Sequence, residues 1–309
     1  MFLCLVLLVT GAIEMFYYNP TPEQAALSIQ TITYLTPFGG LVRSLHYWAA
    51  QLLVAVTIIH LLRVIFTGAY ARNRRFNYLL GIFLLVICLV FDFSGYVLRW
   101  DEGIRWALVA GTNLVRTIPL AGPTLYSILM GGAQPGPASL LRFYAWHIFG
   151  LTFVLITIGA WHLFRVRRDG GITVPPPELR QDSARITRFE LVRREVLAML
   201  ITGIILMLLA LLRPAPIGAP IQEGLTAADG RAPWFFLWVQ QMLRWGDPFL
   251  WGVLVPLGVT AWLAVLPYIL PEAKPEETGR WFPRGNLIAQ ISVTILGMAI
   301  LVLTLLGLQ

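Results

Sequence analysis

Residues 38–66 read FGGLVRSLHYWAAQLLVAVTIIHLLRVIF. The part from 44 to 66 is long and apolar enough to cross a hydrocarbon core of roughly 30 Å, which takes about 20 residues of helix. Two histidines, His46 and His60, lie inside it. Five more runs of this length follow, at about 77–98, 143–165, 195–212, 249–270 and 287–308. A shorter one spans Met1 to about Tyr18. It has no basic leader and no small-x-small cleavage site, so it reads as a membrane helix that starts late and not as a signal peptide. The seven runs, A to G, predict an all-α transmembrane protein.

Composition agrees. Of the 309 residues 57% are hydrophobic and 13% charged, against about 45–50% and 25% in soluble domains. A soluble enzyme, a disordered chain and a nucleic-acid binder are excluded as first readings. The net charge of +7 comes from basic residues between apolar runs, as membrane proteins place them. Loops B–C, D–E and F–G hold 14 of them and loops A–B, C–D and E–F hold 8. The positive-inside bias puts the first set on the cytoplasmic side. The outward C–D and E–F segments, rich in Gly, Pro and Trp, read as packed surface or re-entrant helices. A polar, proline-rich stretch at 171–190 separates a four-helix half (1–170) from a three-helix half (191–309). Cys4 and Cys88 lie in apolar runs and read as small buried hydrophobes. No CxxCH run for covalent haem attachment is present.

All four histidines fall on two helices: His46 and His60 on B, His147 and His162 on D. Spacings of 14 and 15 residues are close to four turns, so each pair shares one side of its helix, with levels roughly 21 Å apart. With B and D running the same way, His46 is level with His147 toward the outside, and His60 with His162 toward the inside. Ionisable groups inside lipid usually mark a site, and neutral imidazole is a good ligand for iron. Two levels of facing imidazoles make two bis-histidine cages of the kind that hold haem. Zinc fits less well, because no Cys, Asp or Glu joins either level in this reading. The bland alternative is four core histidines that hydrogen-bond neighbouring helices.

Arg43, Arg63 and Arg142 stand three to five residues from a histidine and suit haem propionates; they also suit interfacial snorkelling. Gly81 and Gly95, 14 residues apart on helix C, offer a flat wall at each level, or simply close helix packing.

The sequence resembles cytochrome b of the quinol–cytochrome c reductases and the related b6f complexes. The resemblance is carried by FYYNPTPEQAALSIQTI, FGGLVRSLHYWAA, HLLRVIFTGAY, SGYVLRWDEGIRWA, TIPLAGPTLYSILMGG, LLRFYAWH and WHLFRVRRDGGI, over residues 1–172. The 15-residue His147–His162 spacing is similar to the b6 branch. The C-terminal half, with APWFFLWVQQMLRWGDPFLWG, is similar to subunit IV of b6f. The resemblance implies a b6-type di-haem four-helix bundle fused to a subunit IV-like three-helix part. It implies two non-covalent b haems, low-potential outside (His46, His147) and high-potential inside (His60, His162). It also implies an outer quinol-oxidising site and an inner quinone-reducing site, a Rieske iron–sulfur partner, a cytochrome c-type subunit or acceptor, and a homodimer in a bacterial inner membrane. Gly11 matches the second haem-packing glycine of the family's helix A. The first, and the b6-type cysteine for an additional haem c, would precede Met1, which leaves that haem open.

Three departures stand out. The family's outer-site Pro-Glu-Trp-Tyr reads Ala232-Pro233-Trp234-Phe235 here, and the carboxylate some relatives carry further on is Gln241. Trp234 and Phe235 can still wall a quinone pocket, but neither can accept a proton. The family's Pro-Trp-Asp-Gln turn reads Arg99-Trp100-Asp101-Glu102, so Glu102 and Asp101 become candidate outer proton acceptors, or else solvated charges. Helix A begins late. Arg167 matches a position where the b6 branch has arginine; it suits a quinone carbonyl or a propionate, or is one more positive-inside arginine. Two rival functions remain: a di-haem electron wire without a working outer site, and a haem-free transporter or scaffold.

Overall fold

The computed structural model describes residues 1–169, 187–218, 230–275 and 277–309. Every regular element among them is helical. Among the described residues six helical segments are long and apolar enough to cross a membrane, with the shorter Phe2–Met15 besides. Each falls on a run anticipated from sequence.

Helix α1 (Phe2–Met15) packs on α3 (Gly39–Phe66), α3 on α4 (Arg75–Val97), and α4 on α8 (Leu151–Arg168). Helix α8 leans mainly on α4, which leaves space between it and α3. In the C-terminal half, α9 (Arg188–Leu212) lies along α3, and α11 (Val255–Ile269) along α4. Helix α12 (Leu287–Gly307) lies on the short α10 (Leu237–Met242). Buried Ile65, Tyr78, Leu266 and Val293 tie α3, α4, α11 and α12 together. The outward sides of α8 and α9 keep large side chains such as Phe153, Ile156, Ile204 and Leu208 exposed, as a lipid-facing surface requires.

Helix ends differ from the apolar runs because polar first turns carry no hydropathy. Helix α9 begins at Arg188, inside the stretch assigned to the linker. Thr187 caps it by accepting from Glu190 N (3.2 Å), and Glu190 pairs with Arg193 and Arg194. The rest of the anticipated linker, 171–186, lies outside the described residues. Helix α3 begins at Gly39, just after left-handed Phe38 (φ 59°). A side chain at Gly39 would overlap the Ile32 carbonyl of α2 (Ala25–Tyr34), a helix the sequence reading did not anticipate.

The C–D segment is helical: α5 (Glu102–Arg116), α6 (Gly122–Met130) and α7 (Pro137–Ala145). With α2 they enclose a core of Val97, Trp100, Ile104, Leu108, Met130 and Leu140. This cap closes one end of the bundle. It positions the turn before α5 and the start of the helix that carries His147.

Candidate functional site

His147 stands in a π-helical turn, Trp146–Gly150, between α7 and α8. Fifteen residues of ideal α-helix overshoot four turns by about 60°. A π turn takes one extra residue and absorbs that excess, so His147 and His162 share a face. The Thr152 hydroxyl donates to the His147 carbonyl (3.0 Å) and satisfies an acceptor that the irregular turn loosens. Such turns concentrate at functional sites.

At the outer level the rings of His46 and His147 have centroids 6.3 Å apart. Two metal–imidazole bonds of about 2 Å, plus half a ring on each side, give a separation of roughly 6 Å. The hydroxyls nearby fix the protons. Ser94 Oγ donates to Phe91 O (2.6 Å) and lies 2.8 Å from His147 Nδ1. Its one proton is committed, so it accepts from Nδ1–H. Thr10 Oγ1 donates to Val6 O (2.7 Å) and accepts in the same way from His46 Nδ1 (2.9 Å). At the inner level His162 Nδ1 donates to Asn77 O (3.1 Å). In three of the four rings Nδ1 is thus engaged by a neighbouring oxygen, an arrangement that favours the proton on Nδ1 and leaves the Nε2 lone pair for a metal.

The glycines face these rings. A Cβ on Gly95 would stand 2.7 Å from His147 Cε1, one on Gly11 3.0 Å from His46 Cε1, and one on Gly81 3.5 Å from His162 Cε1. A flat group slid between the imidazoles needs this clearance. His60 and His162 line one partly open cleft, with Thr57, Tyr70, Tyr78 and Gly81. Donor set and clearance fit a haem at each level. Ser94→Ala is expected to leave α4 intact but release the His147 ring. The group at the outer level should then bind about 10- to 100-fold more weakly, measured as its faster loss on dilution, with the inner level unaffected.

Several anticipated roles change. Arg43 is 5% exposed and spends its donors on Ala215 O (3.0 Å), Pro216 O and Thr33 Oγ1, because the chain after α9 folds back over it. Arg142 binds the carbonyls of Ser127 (3.0 Å) and Ile128 in α6. Neither guanidinium is directed at a histidine. Arg63 is exposed and near enough to His60 to act on its charge. Arg167 is exposed and does not line the inner cleft, whereas Arg165 and Arg74 do. Five residues beyond His162 turns a side chain about 140° away on a helix, while three keeps it alongside. Arg165 is ion-paired with Asp169 (3.0 Å).

Asp101 is structural. Its Oδ1 caps α5 by accepting from Ile104 N (3.1 Å). Its Oδ2 takes Arg99 Nε (2.9 Å) and Gly218 N (3.1 Å). With both oxygens occupied at 3% exposure, it is poorly placed to take a proton from a substrate. Glu102, in the first turn of α5, makes no side-chain hydrogen bond among the described residues. Phe235 is buried against Trp234 and Phe236, and Trp234 is 39% exposed. Gln240 Oε1 accepts from Ala232 N (2.8 Å) and holds this segment.

Two carboxylates that the sequence reading did not single out lie near the outer level without joining a ligand set. Glu14 on α1 lies within electrostatic reach of His46 and has a buried, unpartnered Oε1. Asp92 on α4 accepts from Gln51 (3.0 Å). Each is a lone acid in an apolar run, which was the available signal. Even so, no cluster of three metal-ligating side chains of the zinc type occurs among the described residues.

A family model described as "Cytochrome b(N-terminal)/b6/petB" matches residues 51–220. Cytochrome b6 of Heliomicrobium gestii is 40% identical over 161 residues, 52% of this chain and 76% of the relative. Cytochrome b6 of Synechococcus elongatus is 35% identical over 166 residues, 54% and 77%. A chain of a solved hyperthermophilic respiratory Complex III superposes with a TM-score of 0.82, at 19% identity, covering 99% of this chain and 81% of that one; at that identity the likeness is one of fold.

Proposed function

The chain belongs to the cytochrome b(N-terminal)/b6 family, and on that premise we propose that it is the di-haem membrane subunit of a bacterial quinol–cytochrome c oxidoreductase. The observation that carries this reading is that Nδ1 of His46, His147 and His162 is engaged by a neighbouring oxygen, which leaves Nε2 as the free donor at two levels. His46 and His147 would hold the low-potential haem, and His60 and His162 the high-potential one. The haems supply reversible one-electron storage at two depths.

The chain's own residues position and insulate. Thr10, Ser94 and the Asn77 carbonyl orient the rings. Gly11, Gly81 and Gly95 keep the space between helices clear. Trp234 and Phe235 present an apolar wall to a quinol near the outer level, and Arg165 and Arg74 border the inner cleft. A Rieske iron–sulfur protein and a cytochrome c-type acceptor would complete the assembly, with the chain as a homodimer in the inner membrane and net proton translocation as the result.

The test uses membranes holding the whole complex, with the inner quinone site blocked. Quinol is added, oxidant is pulsed, and the b-haem optical band is recorded. A transient rise in reduced b haem is expected, because removing one electron from quinol sends the other into the b haems. If the haems only become oxidised, the outer site does not divide the two electrons, and the chain acts as an electron wire for another redox module.

A further inference from the structure

Asp92 lies near the C-terminal end of α4, inside a membrane span, where an acid usually has a functional reason and a partner. Its partner is unusual. Trp234 Nε1 donates to Gln51 Oε1 (2.9 Å), and Gln51 Nε2 donates to Asp92 Oδ1 (3.0 Å). The tryptophan sets the amide's orientation, and the amide then aims its N–H at the carboxylate. Among the described residues Asp92 forms no ion pair, and Oδ2 accepts no hydrogen bond. Asp101 is the contrast: a guanidinium and two backbone N–H groups occupy it.

The same turn of α4 touches both halves of the outer site. Phe91 packs on the His147 ring at 4.6 Å and Ser94 binds its Nδ1 at 2.8 Å. Phe93 packs on Phe236 at 6.1 Å. Asp92 thus sits between the outer histidine pair and the segment Ala232–Phe236, in which a carboxylate is missing. The other titratable groups within reach are Tyr47 on α3 and Cys88 one turn back on α4.

We propose that Asp92 is the proton acceptor of the outer quinol site, moved from the tryptophan-bearing segment onto the facing helix and held there through Gln51. One quinol O–H bond breaks and its electron pair stays on the quinol oxygen. The proton bonds to Asp92 Oδ2, so the carboxylate becomes a neutral acid and the quinol an anion ready for oxidation. Gln51 is a positioning residue, since an amide passes no proton.

This rests on the quinol-oxidising reading above, and the experiment separates the two. Asp92→Asn, Asp92→Glu, Gln51→Leu and Glu102→Gln are compared with the parent in the oxidant-pulse assay, with reduced b-haem spectra as the check on folding. Infrared difference spectra on quinol addition supply a readout apart from turnover. Asp92→Asn is expected to keep both haems, slow oxidant-induced b-haem reduction by about 10²–10⁴-fold, and lose a carboxylic-acid C=O band that the parent gains. Asp92→Glu restores part of the rate and shifts the band. Gln51→Leu keeps the band and alters the pH profile. If the parent responds and Asp92→Asn responds equally, Asp92 is overturned and the quinol site stands. If Glu102→Gln alone removes rate and band, the acceptor is Glu102 and the proposal is wrong. If the parent itself shows no rise, the quinol-oxidising reading fails and takes Asp92's role with it.

Discussion

On the proposed di-haem reading, replacing His147 with alanine is expected to lower b-haem content from two per chain to one, and replacing His162 to remove the other instead. The reason is geometric. The two levels share no ligand: His46 faces His147 across 6.3 Å, while His60 and His162 line a separate cleft. A group held between two imidazoles loses half its coordination when one goes, and no other metal-ligating cluster among the described residues can replace it. The chain should still fold. His147 belongs to none of the three buried clusters, and its helix is held by Leu140 and Phe143 in the outer core. The measurement is haem per chain on the purified protein, with the reduced spectrum identifying which b band is lost. The double replacement should give a colourless protein of unchanged helix content. A His147→Ala protein that retained two haems would overturn the pairing. It would return these histidines to the rank of ordinary hydrogen-bonding core residues.

The long spans were legible because lipid allows only satisfied backbone, and seven apolar runs leave few other arrangements. The histidine levels were legible because 14 residues is nearly a whole number of turns. What sequence spacing does not carry is the register between helices. Thr10 and Ser94 are unremarkable hydroxyls until α1 and α4 are laid against α3 and the π turn at His147. The arginines mislead for the opposite reason, being too many near helix ends for proximity in sequence to separate a propionate partner from a carbonyl clamp such as Arg43 or Arg142. Helix α2 escaped because it is not a membrane span and its apolar face shows only against its neighbours; α5, α6 and α10 fall in the outward segments read as packed helices, but their bounds were not legible for the same reason. Asp92 was readable as an acid in the run FDFSG. Its link to Trp234, 142 positions away in sequence, was not.

Asp101→Ala is expected to be among the most destabilising single changes in the chain, and the kind of damage decides what the residue is for. Three groups, the Arg99 guanidinium and the backbone N–H of Ile104 and Gly218, converge on one carboxylate that is 3% exposed. Losing the α5 cap costs about 1 kcal/mol. Gly218 N loses its acceptor, about 1–3 kcal/mol if no water replaces it. Arg99, with its side chain 18% exposed, loses the charge that offsets its burial. Removing one partner of a fully buried pair costs about 3–5 kcal/mol, and Arg99's partial exposure puts it at or below the low end. These terms overlap, since all act through the same turn at left-handed Trp100 (φ 49°). A combined loss of about 3–5 kcal/mol is reasonable, read as a lower unfolding temperature in detergent with early release of the outer haem. Asp101→Asn separates structure from chemistry. The amide oxygen can still cap α5 or accept from Gly218, so stability should fall by less than half as much while quinol oxidation continues. If Asp101 were the outer proton acceptor, the order would reverse: Asp101→Asn would melt near the parent and fail in the oxidant pulse. A scaffold residue loses function only as it loses the fold; an acid that takes a proton loses function first.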